Sequence, residues 1–130
     1  MDRNYINISS IESFFYDLLF EKVSPYVFFT SIPIDMKQEW ENFCVVDIPN
    51  DVVDKHAYGS GSVLIYLYTQ SLAGGEKNIG EFDKMNISLR EAIESNNNPH
   101  YSVTWDASFT DFDNSVKLYC NIIKVDLLIV

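Results

Sequence analysis

Hydrophobic and polar positions along this chain follow two periods, one of about 3.6 residues and one of two. The helical period appears first. Ile11, Phe14, Phe15, Leu18 and Leu19 fall on one face, with Asp17, Glu21 and Lys22 off it. Ser9 and Glu12 form an S-x-x-E capping box, which predicts Ser9 as the cap and Ile8 before it as a hydrophobic staple. Pro25 closes this segment, because the residue before a proline disfavours the α region. A second helix is predicted from Ile79 to Ser95, with Ile79, Phe82, Leu89, Ala92 and Ile93 on one face. Asn96-Asn97-Asn98-Pro99 ends it, since asparagine accepts left-handed backbone and proline stops continuation.

The other segments read as strands. Tyr26–Ile34 comes first, with Pro33 marking an edge or a terminus. Trp40–Ile48 follows the polar connection Lys37-Gln38-Glu39, and these two strands are expected to form a hairpin. Val63–Thr69, between Gly61 and Gly74-Gly75, is β-branched, aromatic or aliphatic almost throughout, as a buried strand prefers. Tyr101–Phe109 alternates, with Val103, Trp105, Ala107 and Phe109 on one face and Thr104, Asp106 and Ser108 on the other. Thr110–Ser115 is a polar turn. In the last strand, Val116–Val130, the apolar phase moves from Val116, Leu118, Cys120 and Ile122 to Ile123, Val125, Leu127 and Ile129. A one-residue change of phase predicts a bulge or sharp bend at Ile122-Ile123. The order is helix, three strands, helix, two strands. It predicts the α+β class: one domain over residues 1–130, a mostly antiparallel sheet of about five strands with two helices packed on it. Val63, Ile65 and Leu67 are expected beneath Phe82, Leu89 and Ile93.

Composition narrows the function classes. With 47% hydrophobic and 15% aromatic residues, the chain has the material for a core and is not a disordered segment. The formal net charge of -10 argues against gripping nucleic acid through its phosphates and against docking on an anionic membrane. It leaves room for a protein that surrounds DNA without holding it. Met1-Asp2-Arg3-Asn4 is not a basic region followed by an apolar run, and no apolar run reaches the ~20 residues of a membrane helix. A cytoplasmic protein with no membrane partner is the expectation.

Candidate chemistry is sparse. Cys44 and Cys120 lie inside apolar runs and are expected to be free buried thiols. Asp51, Asp54 and His56 are residue types that ligate zinc, but no second ligand cluster of recognisable spacing accompanies them. The loop Pro49–Gly61 that holds them is expected to be solvated or to make an interaction. Gly74-Gly75 is a turn and not a phosphate cradle, since the Walker pattern is missing; Gly80 is followed by Glu81 and Phe82. Asp111-x-Asp113 lacks the glycine and the closing glutamate of a calcium loop. His100 falls at a helix end, no serine sits in a G-x-S-x-G elbow, and neither cysteine has a nucleophile's local pattern. No catalytic, metal-binding or cofactor-binding residue is assigned, and the chain is expected not to be an enzyme.

The order of elements resembles the tail-terminator and tail-completion proteins of long-tailed bacteriophages. The matching pieces are Ile11–Val23, Tyr26–Ile34, Trp40–Ile48, Val63–Gln70, Ile79–Ser95 and Tyr101–Val130, nearly the whole chain. The likeness is one of element order and length. It implies a non-enzymatic structural protein forming a ring, often a hexamer, that caps the tail tube and joins it to the head. Its partners would be further copies of itself, the tail-tube protein and head-completion proteins, and its place would be the virion. An acidic inner surface would let DNA slide through such a ring. Self-association is then expected to use a sheet edge and the loop residues Asp51, Val52, Val53, Asp54, His56 and Tyr58, because unpaired edges and aromatic residues favour interfaces. Two other classes stay open from the residues. One is an acidic interaction or immunity-type module, told apart by gene neighbourhood. The other is a small-ligand-binding domain with a pocket lined by Trp105, Tyr66 or His56.

Overall fold

Val63, Ile65 and Leu67 leave their strand on one side and are fully buried, while Leu64, Tyr66 and Tyr68 leave it on the other. That alternation divides the molecule into two layers of packing on one sheet. The structure, a computed structural model, describes residues 7–32, 40–49 and 60–129. In chain order the elements are α1 (Ile8–Leu19), β1 (Val27–Phe29), β2 (Asn42–Asp47), β3 (Ser60–Thr69), α2 (Ile79–Glu94), β4 (Tyr101–Asp113) and β5 (Leu118–Ile129). The five strands form one sheet in the order β1-β2-β3-β5-β4, with β1 parallel to β2 and every other pair antiparallel. This is the expected α+β fold.

Both helices cover one face. Ile11, Phe15 and Leu19 of α1 and Met85, Leu89 and Ala92 of α2 pack with Cys44, Val46, Val63, Ile65, Leu67, Ile123, Val125 and Leu127 in one core. The expected seat of α2 over β3 is found: Phe82 and Leu89 are buried and Ile93 packs against the core at partial exposure. Ile79 was expected on this stripe but is 61% exposed, and Met85 holds the inner position one turn before Leu89. Truncating Leu89, which is fully buried, to alanine is expected to cost about 2–5 kcal/mol.

Three local expectations are corrected. The first concerns the start of α1. Asn7, not Ser9, is the cap, its Oδ1 accepting from the Ser10 N–H at 2.9 Å, so Ile8 opens the helix and is not a staple ahead of it. An asparagine amide serves a helix start as well as a serine hydroxyl does, so the earlier polar residue takes the role. The second concerns β1 and β2, which are not a hairpin. Val27, Phe28 and Phe29 pair in parallel with Cys44, Val45 and Val46. Parallel strands need a connection of about a dozen residues, and the stretch from Thr30 to Glu41 supplies one. Aromatic stacking brings the two strand starts together. Trp40, just ahead of β2, stacks on Tyr26, just ahead of β1, with centroids 5.0 Å apart. Pro33, Ile34 and Lys37-Gln38-Glu39 lie outside the described residues.

The third correction concerns the bulge. β5 pairs with β3 without a break from Cys120 to Leu128, so no bulge or bend occurs at Ile122-Ile123. The irregularity lies in its neighbour. β4 carries Asp106 as an extra residue between Trp105, opposite Val125, and Ala107, opposite Lys124. The faces of β4 therefore exchange there. Val103 and Trp105 turn to the helices, but Ala107 and Phe109 turn to the other side, contrary to the single face expected for all four. The apolar phase change in β5 has a different cause. Both faces of the strand are covered at its middle. Leu118, Cys120 and Ile122 feed the packing on the side away from the helices, and Ile123, Val125 and Leu127 feed the helix side.

Candidate functional site

The face of the sheet away from the helices is built largely from aromatic rings. Tyr26 stacks on Trp40, Trp40 stacks on Phe28 at 5.1 Å, and Phe28 meets Phe43 edge-on at 6.3 Å. Phe43 then stacks on Tyr68 at 4.7 Å with an interplanar angle of 7°, and Tyr68 runs parallel to Tyr66 at 6.5 Å. Alternation in β1, β2 and β3 puts Phe28, Phe43, Tyr66 and Tyr68 on this one side, and pairing of Phe43 with Tyr68 sets them ring to ring. Among the described residues no helix lies over this face.

The ladder ends in an open cleft of about 460 Å³. Its floor is Val45 and Asp47 of β2 with Tyr66 and Tyr68 of β3. One wall is Thr30, Ser31 and Ile32, which follow β1; the other is Asp113, Ser115 and Val116 at the β4–β5 turn. Each wall adjoins or includes a backbone position that side chains seldom accept. Thr30 has φ +73° and centres a three-residue turn in which the Ser31 N–H donates to the Phe29 carbonyl at 2.9 Å. A positive φ is unusual for a β-branched residue, and turns of this hand are rare and strained. Lys117 closes the opposite turn at φ +59°, its N–H on the Asp113 carbonyl at 2.8 Å.

Two carboxylates face the cleft in different states. Asp113 is engaged on both oxygens. Tyr68 donates its hydroxyl to Oδ2 at 2.8 Å, and Ser115 donates its N–H and its hydroxyl to Oδ1 at 2.9 and 2.6 Å. Burial alone would raise the Asp113 carboxyl, but the hydrogen bonds from Ser115 and Tyr68 outweigh it and hold the group below the ordinary aspartate range. Burial and the bond to Asp113 together push the Tyr68 phenol far above its ordinary value. Among the described residues the Asp47 carboxylate has no hydrogen-bond or ion-pair partner, and neither does the Tyr66 hydroxyl. Burial raises Tyr66, and the charges of Asp47, Cys120 and Asp113 raise it further. Below the floor, burial pushes the Cys120 thiol up to about 11, with Asp111 and Asp113 adding to it. Cys44 lies on the helix side, fully buried, and both cysteines are free thiols.

The residues singled out from sequence come together only in part. Tyr66 lines the cleft. Trp105 is on the opposite face of the sheet, where the Arg90 guanidinium lies 3.9 Å from its ring centroid, so the two do not share a pocket. His100 follows α2 on the surface, and its N–H donates to Asn98 Oδ1 at 2.8 Å. Asp51, Val52, Val53, Asp54, His56 and Tyr58 lie outside the described residues. Sequence reading missed the pairing of Tyr68 with Asp113. The usable signal was the shared side of Tyr66 and Tyr68 in one strand, but nothing local points from them to a turn 45 residues away. Among the described residues no group of three or more histidines, cysteines, aspartates and glutamates could hold a metal ion, and no helix is long and apolar enough to cross a membrane.

Searches against protein-family models, curated proteins and solved structures gave no match for this chain.

Proposed function

We propose that this protein is a non-enzymatic assembly protein, which acts by being built into a larger structure. On the order of its elements, the assembly we propose is the ring, expected to be hexameric, of a phage or prophage tail terminator at the head–tail junction. The observation that carries the assembly reading is the face left without helices. An aromatic ladder spans it, and β4 borders it. From Ala107 to Phe112 every side chain of β4 is exposed, and Phe109 is 54% exposed. Among the described residues no strand pairs with the outer edge of β4. Trp40, Phe43 and Tyr68 of the ladder are buried, but Phe109 and Phe112 beside it are exposed, and exposed aromatic rings with an open strand edge are the materials of protein interfaces. The net charge of -10 fits a ring through which DNA must slide without adhering.

The test is light scattering of the pure protein at rising concentration, repeated with the tail-tube protein from the same locus. A ring in the second mixture is the expected result, and a monomer in both sinks the terminator reading. Replacing Asp51-Val52-Val53-Asp54 by a Gly-Ser linker is expected to abolish that ring, as the loop's proposed place at the interface requires.

A further inference from the structure

The cleft beside the aromatic ladder has a chemical character of its own. Its floor carries a tyrosine ring, a free phenol and a free carboxylate, on Tyr66 and Asp47. The Asp113 carboxylate, fixed by Tyr68 and Ser115, adds a second negative charge at one wall. Among the described residues no lysine or arginine lines the cleft. Lys124 pairs with Asp106 at 3.3 Å at the bulge of β4, and neither residue lines the cleft. An opening of about 460 Å³ is wide enough for a long side chain and small for a folded element.

We propose that this cleft is a receptor for a cationic side chain, lysine or arginine, presented by a partner protein. A cation seated over the Tyr66 ring gains from the ring quadrupole, and more so where the ring is partly shielded from water. The Asp47 carboxylate, without a hydrogen-bond or ion-pair partner among the described residues, gains a counter-charge. The Thr30 and Ser31 hydroxyls at the wall can accept from a guanidinium or ammonium donor. The charge balance selects the sign, since a protein of net charge -10 draws a basic partner and repels an acidic one. The inference takes from the assembly reading only the idea that the cation arrives on another protein. The cleft itself can be tested without assembly.

The test uses the full chain, labelled with 15N, titrated with Nα-acetyl-arginine amide and, separately, with the citrulline amide, its neutral isostere. The expected result is saturable movement of the Thr30, Asp47 and Tyr66 amide signals with the arginine probe, with a dissociation constant on the order of 1–10 mM for so small a ligand. The citrulline probe should leave them in place. Asp47→Asn is expected to weaken the arginine response at least tenfold without changing the melting temperature, because among the described residues the Asp47 carboxylate has no hydrogen-bond or ion-pair partner. Tyr66→Leu is a second variant with the same expected loss, and it decides the matter if Asp47→Asn does not fold. An equal response to citrulline, a response that neither variant changes, or no saturable response overturns the proposal. A positive titration beside a monomeric light-scattering result would retain the cation site and discard the ring.

Discussion

The hydroxyl of Tyr68 and the carboxylate of Asp113 tie the middle of β3 to the β4–β5 turn with one charge-assisted bond of 2.8 Å. Its contribution depends on pH in a fixed direction. The folded state holds the Asp113 carboxyl below its unfolded value, so the unfolded chain takes up its proton first as pH falls. The stabilisation is therefore complete above the unfolded aspartate value of about 4 and disappears below it. Tyr68→Phe removes the donor while keeping the ring stacked on Phe43. It is expected to cost about 1 kcal/mol at pH 7, less than the roughly 1.5–3 kcal/mol usual for a bond to a charged group because Asp113 is only partly shielded. Urea unfolding of both proteins between pH 7 and pH 3 checks this: the gap should narrow as pH falls. A constant gap would mean that Tyr68 contributes by packing alone. Asn121 shows a polar residue used for register. Its amide donates to Asn86 Oδ1 at 2.9 Å, so β5 meets α2 by a hydrogen bond where its apolar side faces away.

Elements with a strong period were legible, and the errors occurred where two physical solutions compete. The α2 boundary was read within a residue at both ends, since Asn78 caps it by accepting from the Glu81 N–H and no competing polar cap precedes it. At α1 two caps compete, and Asn7 wins over Ser9. Asn7→Ala is accordingly expected to cost about 1 kcal/mol and Ser9→Ala only a few tenths, measured by thermal or urea unfolding. The reverse order would restore the capping box read from sequence. β3 and the helix-side half of β5 were legible because Val63, Ile65, Leu67, Val125 and Leu127 keep strict alternation against a single apolar layer. The hairpin was misread because a connection of a dozen residues permits either sense of pairing. The sense is set by Trp40 finding Tyr26 and Phe28, a contact that strand propensity does not express. The bulge was placed two residues away on the wrong strand. A strand covered on both faces changes apolar phase while staying regular, and β5 is such a strand. Of the cleft, Tyr66 was legible as an aromatic on a strand face. The walls were not, because Thr30 and Asp113 meet only through the sheet order.

At the scale of the molecule, the sheet carries both helices on one face and, among the described residues, none on the other, and its two edges are unequal. β1 offers three residues and β4 thirteen. The interior of the sheet holds a further asymmetry. β5 follows β4 in the chain, yet it lies between β3 and β4 and pairs with both, Tyr68 opposite Cys120 on one side and Asp113 opposite Leu118 on the other. Synthesis runs from the N-terminus, so β3 and β4 leave the ribosome before the strand that joins them exists. A chain stopped after Asp113 is expected to show little strand content by circular dichroism and to be cut rapidly by protease, and a resistant, folded fragment would contradict this. Until β5 emerges, the rim of β3 and all of β4 stand as bare templates of backbone donors and acceptors. The acidic residues set along β4, Asp106, Asp111 and Asp113, then serve the nascent chain as guards against its neighbours on the same message, well before they serve the finished protein.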